Sequence, residues 1–166
     1  MQVGAVQAML KEKVSVEDRL DAYDLLARYC LLLDEGDSEG WLALWEEDGV
    51  FVGTRDEAVR GHEGLRSAPV MNLASGMRHY MTNLACEYGA TRDDMIVRGY
   101  NLIISWLAEP KLFGNAVVRY HLVRRANDWK IKSNQVRLQV PPGFPADRLP
   151  EGFPIPNNAA TRFPPL

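Results

Sequence analysis

Residues 77–140 read MRHYMTNLACEYGATRDDMIVRGYNLIISWLAEPKLFGNAVVRYHLVRRANDWKIKSNQVRLQV. After Gly76 the apolar side chains recur at every second position, the pattern of half-buried strands. Four runs stand out: Met77–Tyr88, Met95–Leu107, Phe113–Arg125 and Trp129–Val140. The breaks between them (Gly89–Asp93, Glu109–Lys111, Ala126–Asp128) are too short for crossover connections. The runs therefore predict consecutive antiparallel neighbours in one sheet.

Upstream of Gly76 the period is helical. Ser15, with Asp18 three residues on, resembles a capping box opening the helix VEDRLDAYDLLARYCLLLDE, and Gly36 is its left-handed stop. Asp37 or Ser38 caps a second helix, EGWLALWEED, closed by Gly49; in it Trp41 and Trp45 share a face and read as core packing. Val50–Arg60 predicts a short hairpin turning at Gly53–Glu57, and a third short helix follows Gly61 around HEGLRSAPVM. Helices first and a meander afterwards is the order of an α+β domain with its helices laid against one sheet face. That domain spans 15–140, between an N-terminal extension (1–14) and a tail (141–166) holding eight of the ten prolines. Proline fixes φ and removes a donor, so the tail is neither helix nor central strand. Its Phe144, Phe153 and Phe163 predict that it packs on the domain or a neighbouring subunit.

Composition narrows the functions. The chain has 166 residues, 46% of them hydrophobic and 25% charged, with a formal net charge of −3. That is the balance of one soluble globular domain. No Lys/Arg block longer than a pair offers a footprint for nucleic acid or an anionic membrane. Cys30 and Cys86 are two isolated cysteines, which build neither a disulfide framework nor a metal cluster. No segment reads as a signal peptide or membrane span. The expected setting is cytoplasmic, with no metal and no cofactor.

Two residues break the apolar pattern. Leu20, Tyr23, Ala27, Cys30 and Asp34 follow one another at helical spacing, which puts a carboxylate on an apolar stripe. Asp34 sits in the last turn, where the helix dipole disfavours negative charge. Either it is buried and answered by a donor, or the turn frays and it faces water beside Glu35. In the first strand Met77, His79 and Met81 alternate with Arg78, Tyr80 and Thr82, which places His79 on the core face. It is either a satisfied structural histidine or a base. If the two meet, the carboxylate fixes the imidazole tautomer and leaves the other ring nitrogen free to take a proton. Among the remaining polar residues, His121 is a second acid/base or points outward beside Arg119. Asn101 and Ser105 share a strand face with Ile103 and line a cavity mouth, and His62 reads as an exposed loop residue.

These stretches resemble a family. ARYCLLLDEGDSEGWLALWEEDGVF resembles the opening helices of SnoaL-like proteins of the nuclear transport factor 2-like superfamily. VRGHEGLR resembles their turn into the third helix, RHYMTNL their first long strand and VRRANDWKI their final hairpin. The resemblance implies a cone of three N-terminal helices packed in a strongly curved antiparallel sheet around a deep pocket. In the dehydrating and dehydrochlorinating members, an Asp late in the first helix pairs with a His on this strand; the matching positions are Asp34 and His79. Tyr29 and Asn134 stand where the dehydrochlorinating enzyme carries Lys and Arg, a departure from its halide chemistry. The implied activity is a lyase or isomerase for a small, mostly apolar oxygenated molecule. His79 would be the base, Asp34 would orient it, and Tyr29, His121, Asn134 and Asn101 would contact substrate. Two other readings remain. The chain also resembles the β subunits of aromatic-ring-hydroxylating dioxygenases, which are non-catalytic, although it lacks their acidic signature before the last tryptophan. A small-ligand-binding module is the other. A homo-oligomer, dimer or trimer, is expected.

Overall fold

The computed structural model describes residues 13–53 and 57–139. The proline-rich tail and most of the N-terminal extension lie outside the described residues.

The first helix, α1, runs over Val16–Glu35. Ser15 accepts the Asp18 N–H at its start, and Gly36, at φ 80°, satisfies the carbonyls of Leu32 and Leu33 at its end. Both caps agree with the sequence reading. The stripe does not, because Leu20 is 60% exposed and Ala27 also faces solvent. The buried face is instead Ala22, Leu25, Leu26, Tyr29, Cys30, Leu33 and Asp34. Asp34 belongs to both stripes, so its inward placement survives the correction.

Asp37 caps α2 (Ser38–Leu42) by accepting the Gly40 N–H. This helix is shorter than expected. From Trp45 the chain is extended as β1 (Trp45–Val52), in parallel register with the last strand through Trp45 and Ile131. Non-local pairing here overrides the helical spacing of the two tryptophans. Both remain core residues, with ring centroids 5.2 Å apart. β1 turns back into β2 (Val59–Arg60), as the hairpin reading expects. The third helix is two pieces, α3 (Gly61–Leu65) and α4 (Ala68–Ala74), the second starting with Pro69 in its first turn. His62 lies in α3, half-buried near the Trp45 carbonyl, not in an exposed loop.

The four long strands follow as β3 (Met77–Tyr88), β4 (Asp94–Ser105), β5 (Lys111–Arg125) and β6 (Asp128–Leu138). Each pairs antiparallel with the next. The sheet order is β2-β1-β6-β5-β4-β3, so the parallel β1–β6 pair makes the sheet mixed where an antiparallel one was expected. α1 touches both β3 and β6, although β4 and β5 lie between them. Four strands span roughly 14 Å when flat, more than one helix covers, so the sheet must bend around α1.

Two irregularities supply part of that bend. In β3 the register shifts between Thr82 and Ala85, with Asn83 at φ 55°. Met77, His79 and Met81 face inward before it, and Leu84, Cys86 and Tyr88 after it. One extra residue thus changes the parity and keeps both halves of the strand on the core. The Tyr23 hydroxyl secures the bulge by donating to the Leu84 carbonyl at 2.8 Å. A second shift faces Lys132 in β6, where inward residues change from Trp129 and Ile131 to Asn134, Val136 and Leu138.

Candidate active site

The concave face of the sheet and the helices enclose a cavity of about 500 Å³. Its wall is mostly apolar, built from residues such as Leu33, Trp41, Phe51, Met77, Ile103 and Phe113. The polar interruptions include Tyr29, Asn72, His79, Asn101 and Asn134, and no Lys or Arg lines it among the described residues. A largely apolar pocket with a few convergent polar groups is the usual form of a small-molecule site.

Asp34 and His79 meet at this wall. His79 Nδ1 lies 2.6 Å from Asp34 Oδ1, and the two side chains are only 10% and 9% exposed. The same carboxylate accepts the backbone N–H of His79 on Oδ2 at 2.8 Å and the Asn72 amide on Oδ1 at 2.9 Å. Three donors therefore replace the water that burial removes from the charge. Asn72 also donates to the Leu33 carbonyl, tying α4 to the last turn of α1. With Nδ1 bound to a carboxylate, the neutral imidazole carries its proton there. Nε2 is then the basic nitrogen of a ring that lines the cavity.

Tyr29 and Asn134 stand elsewhere on the wall, 3% and 1% exposed. The Asn134 amide donates to the Tyr29 hydroxyl oxygen at 3.1 Å. Burial pushes the pKa of Tyr29 far above the ordinary tyrosine value, so its hydroxyl keeps its proton. Tyr29 packs on Trp41, Trp45 and Tyr120 with centroids 5.3, 6.0 and 5.5 Å away. Such ring pairs contribute about 0.5–1.5 kcal/mol each beyond burial and hold the hydroxyl in place. Beside it Cys30 is buried, and burial pushes its thiol up to about 12, so it stays protonated.

Asn101 is 4% exposed and lines the cavity beside Ile103, which agrees with the face assigned to it. Ser105 shares that face but does not line the cavity; its hydroxyl donates to the carbonyl of Ser75, which does. His121 is not at the site. Inward residues of β5 are Ala116, Val118, Tyr120 and Leu122, so strand alternation turns His121 to the outer face, where Nε2 meets Asp94 at 2.9 Å. Sequence reasoning missed Asn72. Its signal is an amide inside a short helix, a place that asparagine disfavours unless its side chain has a partner.

No helix among the described residues is long and apolar enough to cross a membrane. Among the same residues no cluster of three His, Cys, Asp or Glu is placed to hold a metal ion. No curated protein matches the chain in sequence. Solved structures do. A Nostoc punctiforme protein of unknown function with a cystatin-like fold is 23% identical over 81% of this chain and 98% of its own, with a TM-score of 0.68. A putative scytalone dehydratase from Novosphingobium aromaticivorans is 17% identical over 75% of this chain and 85% of its own, with a TM-score of 0.66. LinA is 21% identical over 75% of this chain and 87% of its own, with a TM-score of 0.65. At these identities the likeness establishes the fold. The SnoaL-like domain itself matches residues 14–135, which takes in every helix and nearly all of the sheet just described. Capped helix, cone and cavity thus converge on one assignment: the chain belongs to the SnoaL-like family and has the nuclear transport factor 2-like fold.

Proposed function

We propose that the protein is a lyase or isomerase of dehydratase type, acting without a cofactor on a small, mostly apolar oxygenated molecule. The observation that carries this reading is the 2.6 Å Asp34–His79 contact at the wall of a mostly apolar cavity. In it, His79 Nε2 takes a proton from a carbon next to a carbonyl, and the C–H electron pair is held as an enolate. The enolate oxygen pair then restores the carbonyl, a new C=C bond forms toward the following carbon, and the oxygen there leaves with its bonding pair. Asp34 stabilises the imidazolium formed in between, which a preorganised carboxylate does without solvent reorganisation. Tyr29 supports the leaving oxygen by donating a hydrogen bond. It keeps its proton, because burial makes a tyrosinate costly there. The proton that completes the departing water is therefore the one His79 removed, and the cycle closes with the imidazole neutral. Isomerisation follows the same course when the proton returns to another carbon.

The neutral Tyr29–Asn134 pair fits an oxygen leaving group better than a halide, since neither side chain brings a positive charge. A panel of small cyclic β-hydroxy ketones, followed by the ultraviolet absorbance of the conjugated enone, tests the reading. Turnover of one member by the wild type, lost by at least three orders of magnitude in His79→Gln, is the expected result. Equal turnover in the two proteins would refute His79 as the base. A panel member that binds and never turns over would favour the ligand-binding module.

A further inference from the structure

We propose that Asn101 is the receptor for the carbonyl oxygen of the substrate, which makes the substrate class a carbonyl compound with an acidic α-hydrogen; this rests on the lyase reading above.

The placement comes from the sheet. His79 pairs with Ile103 and Met81 with Asn101 across β3 and β4, so Asn101 is the diagonal neighbour of His79 on the same inward face. Such neighbours have Cα atoms roughly 7–8 Å apart, and side chains that extend into one cavity converge from there. The opposite neighbour on β5 is Ala116, whose small side chain leaves the amide room.

The second observation is an unmet need. Asn101 is 4% exposed, and its carboxamide oxygen has no hydrogen-bond partner among the described residues. A buried polar group without a partner is costly, and in a native fold it calls for an explanation. Asn72 and Asn134, the other two asparagines on the wall, both donate to protein partners, although the Asn134 oxygen is unpartnered as well. No such donation ties down Asn101 among the described residues, so its amide is free for what the cavity takes in. An asparagine side chain has two N–H donors and one acceptor, and a half-turn about χ2 exchanges them. Facing the cavity with its NH2, it donates to a carbonyl oxygen.

That donor matters most during proton transfer. As His79 removes the α-proton, the carbonyl π pair moves onto oxygen and the charge there rises from partial to nearly full. A hydrogen bond to a charged acceptor is stronger than one to a neutral acceptor, so Asn101 would favour the enolate over the ketone.

The test uses 1-tetralone, which offers a carbonyl oxygen and no donor, and tetralin as its apolar counterpart, both titrated against the full chain. The expected wild type binds 1-tetralone at least about tenfold tighter than tetralin, the value of one good hydrogen bond. Asn101→Leu should abolish that preference and leave tetralin affinity within about twofold. Asn101→Asp, which keeps the shape and sets a carboxylate against the carbonyl oxygen, should abolish it as well and serves if the leucine variant does not fold. His79→Gln should keep most of the preference, so loss of turnover there leaves the Asn101 result standing. A wild type with no preference for 1-tetralone, or an Asn101→Leu protein that retains it, overturns the proposal. Should both asparagine variants lose the preference while no carbonyl compound is ever turned over, the lyase reading fails and the oxygen receptor stands.

Discussion

Replacing Asp34 with Asn probes the site without a substrate. The carboxylate answers three donors: His79 Nδ1, the His79 backbone N–H and the Asn72 amide. An asparagine has one acceptor oxygen. If that oxygen serves Nδ1 and Asn72, the new NH2 faces the His79 backbone N–H, donor against donor. If the amide turns round, its NH2 faces Nδ1, the imidazole proton moves to Nε2, and the base is lost. Charge-assisted bonds contribute about 1.5–3 kcal/mol and neutral ones about 0.5–1.5, while a stranded buried donor costs about 1–3. One bond lost and two weakened come to about 3–6 kcal/mol of stability. The loss of imidazolium stabilisation, about 2–3 kcal/mol, slows proton abstraction by roughly 30- to 150-fold, and a tautomer change slows it further. Urea unfolding measures the first effect, and nitrogen-15 NMR of the imidazole reads the tautomer directly. A variant as stable as the wild type, with its proton still on Nδ1, would refute the argument that Asp34 sets the chemistry of His79.

Three further outcomes follow from local geometry. Burial works against the charge on Asp18, but hydrogen bonds from Arg124 at 2.5 Å and from Tyr88 more than reverse it and hold its pKa below the ordinary 3.8. The stabilisation is thus complete above that value and is lost as pH falls through it toward the folded pKa; Asp18→Asn should flatten this part of an acid-unfolding curve, and an unchanged curve would exclude the pair as its source. Gly36→Ala forces a Cβ into φ 80° with Leu73 Cδ2 only 2.8 Å away, so the melting temperature should drop by several degrees, at a cost of at least about 1 kcal/mol. Cys30, buried with its thiol pushed up to about 12, should resist Ellman's reagent at pH 8 until the protein is unfolded; rapid labelling of Cys30 in the native protein would contradict its burial.

What the sequence discloses depends on how local each cause is. The limits of α1 rest on Ser15 and Gly36, short-range chemistry that shows in the letters, and the four long strands rest on alternation. Trp41 and Trp45 mislead because their helical spacing is genuine, yet Trp45 answers to Ile131, a partner far along the chain that no local period records. The parallel strand pair is illegible for the same reason. Asp34 and His79 meet at the inner face, with His79 on the cavity wall, although Leu20 and Ala27 place the stripe of α1 too far toward solvent. Asn134 is the instructive case. Strict alternation from Trp129 sends it to the outer face, and only the register shift opposite His121 and Leu122 turns it inward. Family resemblance singles it out, whereas periodicity alone points the wrong way. His121 fails in the opposite sense: its residue type suggests chemistry and its parity takes it away from the cavity.

Among the described residues β3 has β4 on one side only, so no strand there receives the outward backbone groups of its other edge. One of those groups is the His79 N–H, and Asp34 takes it at 2.8 Å. The carboxylate therefore serves solubility as well as chemistry. An open strand edge is a template for a second chain, and proteins guard such edges with charge or a covering element. Here α1 carries a charge to the edge near the start of β3. A preparation in which Asp34 is replaced or neutralised would then show concentration-dependent self-association through β3. Loss of activity in such a sample has two causes to separate, a base without its orienting partner and a sheet that has begun to extend into its neighbour.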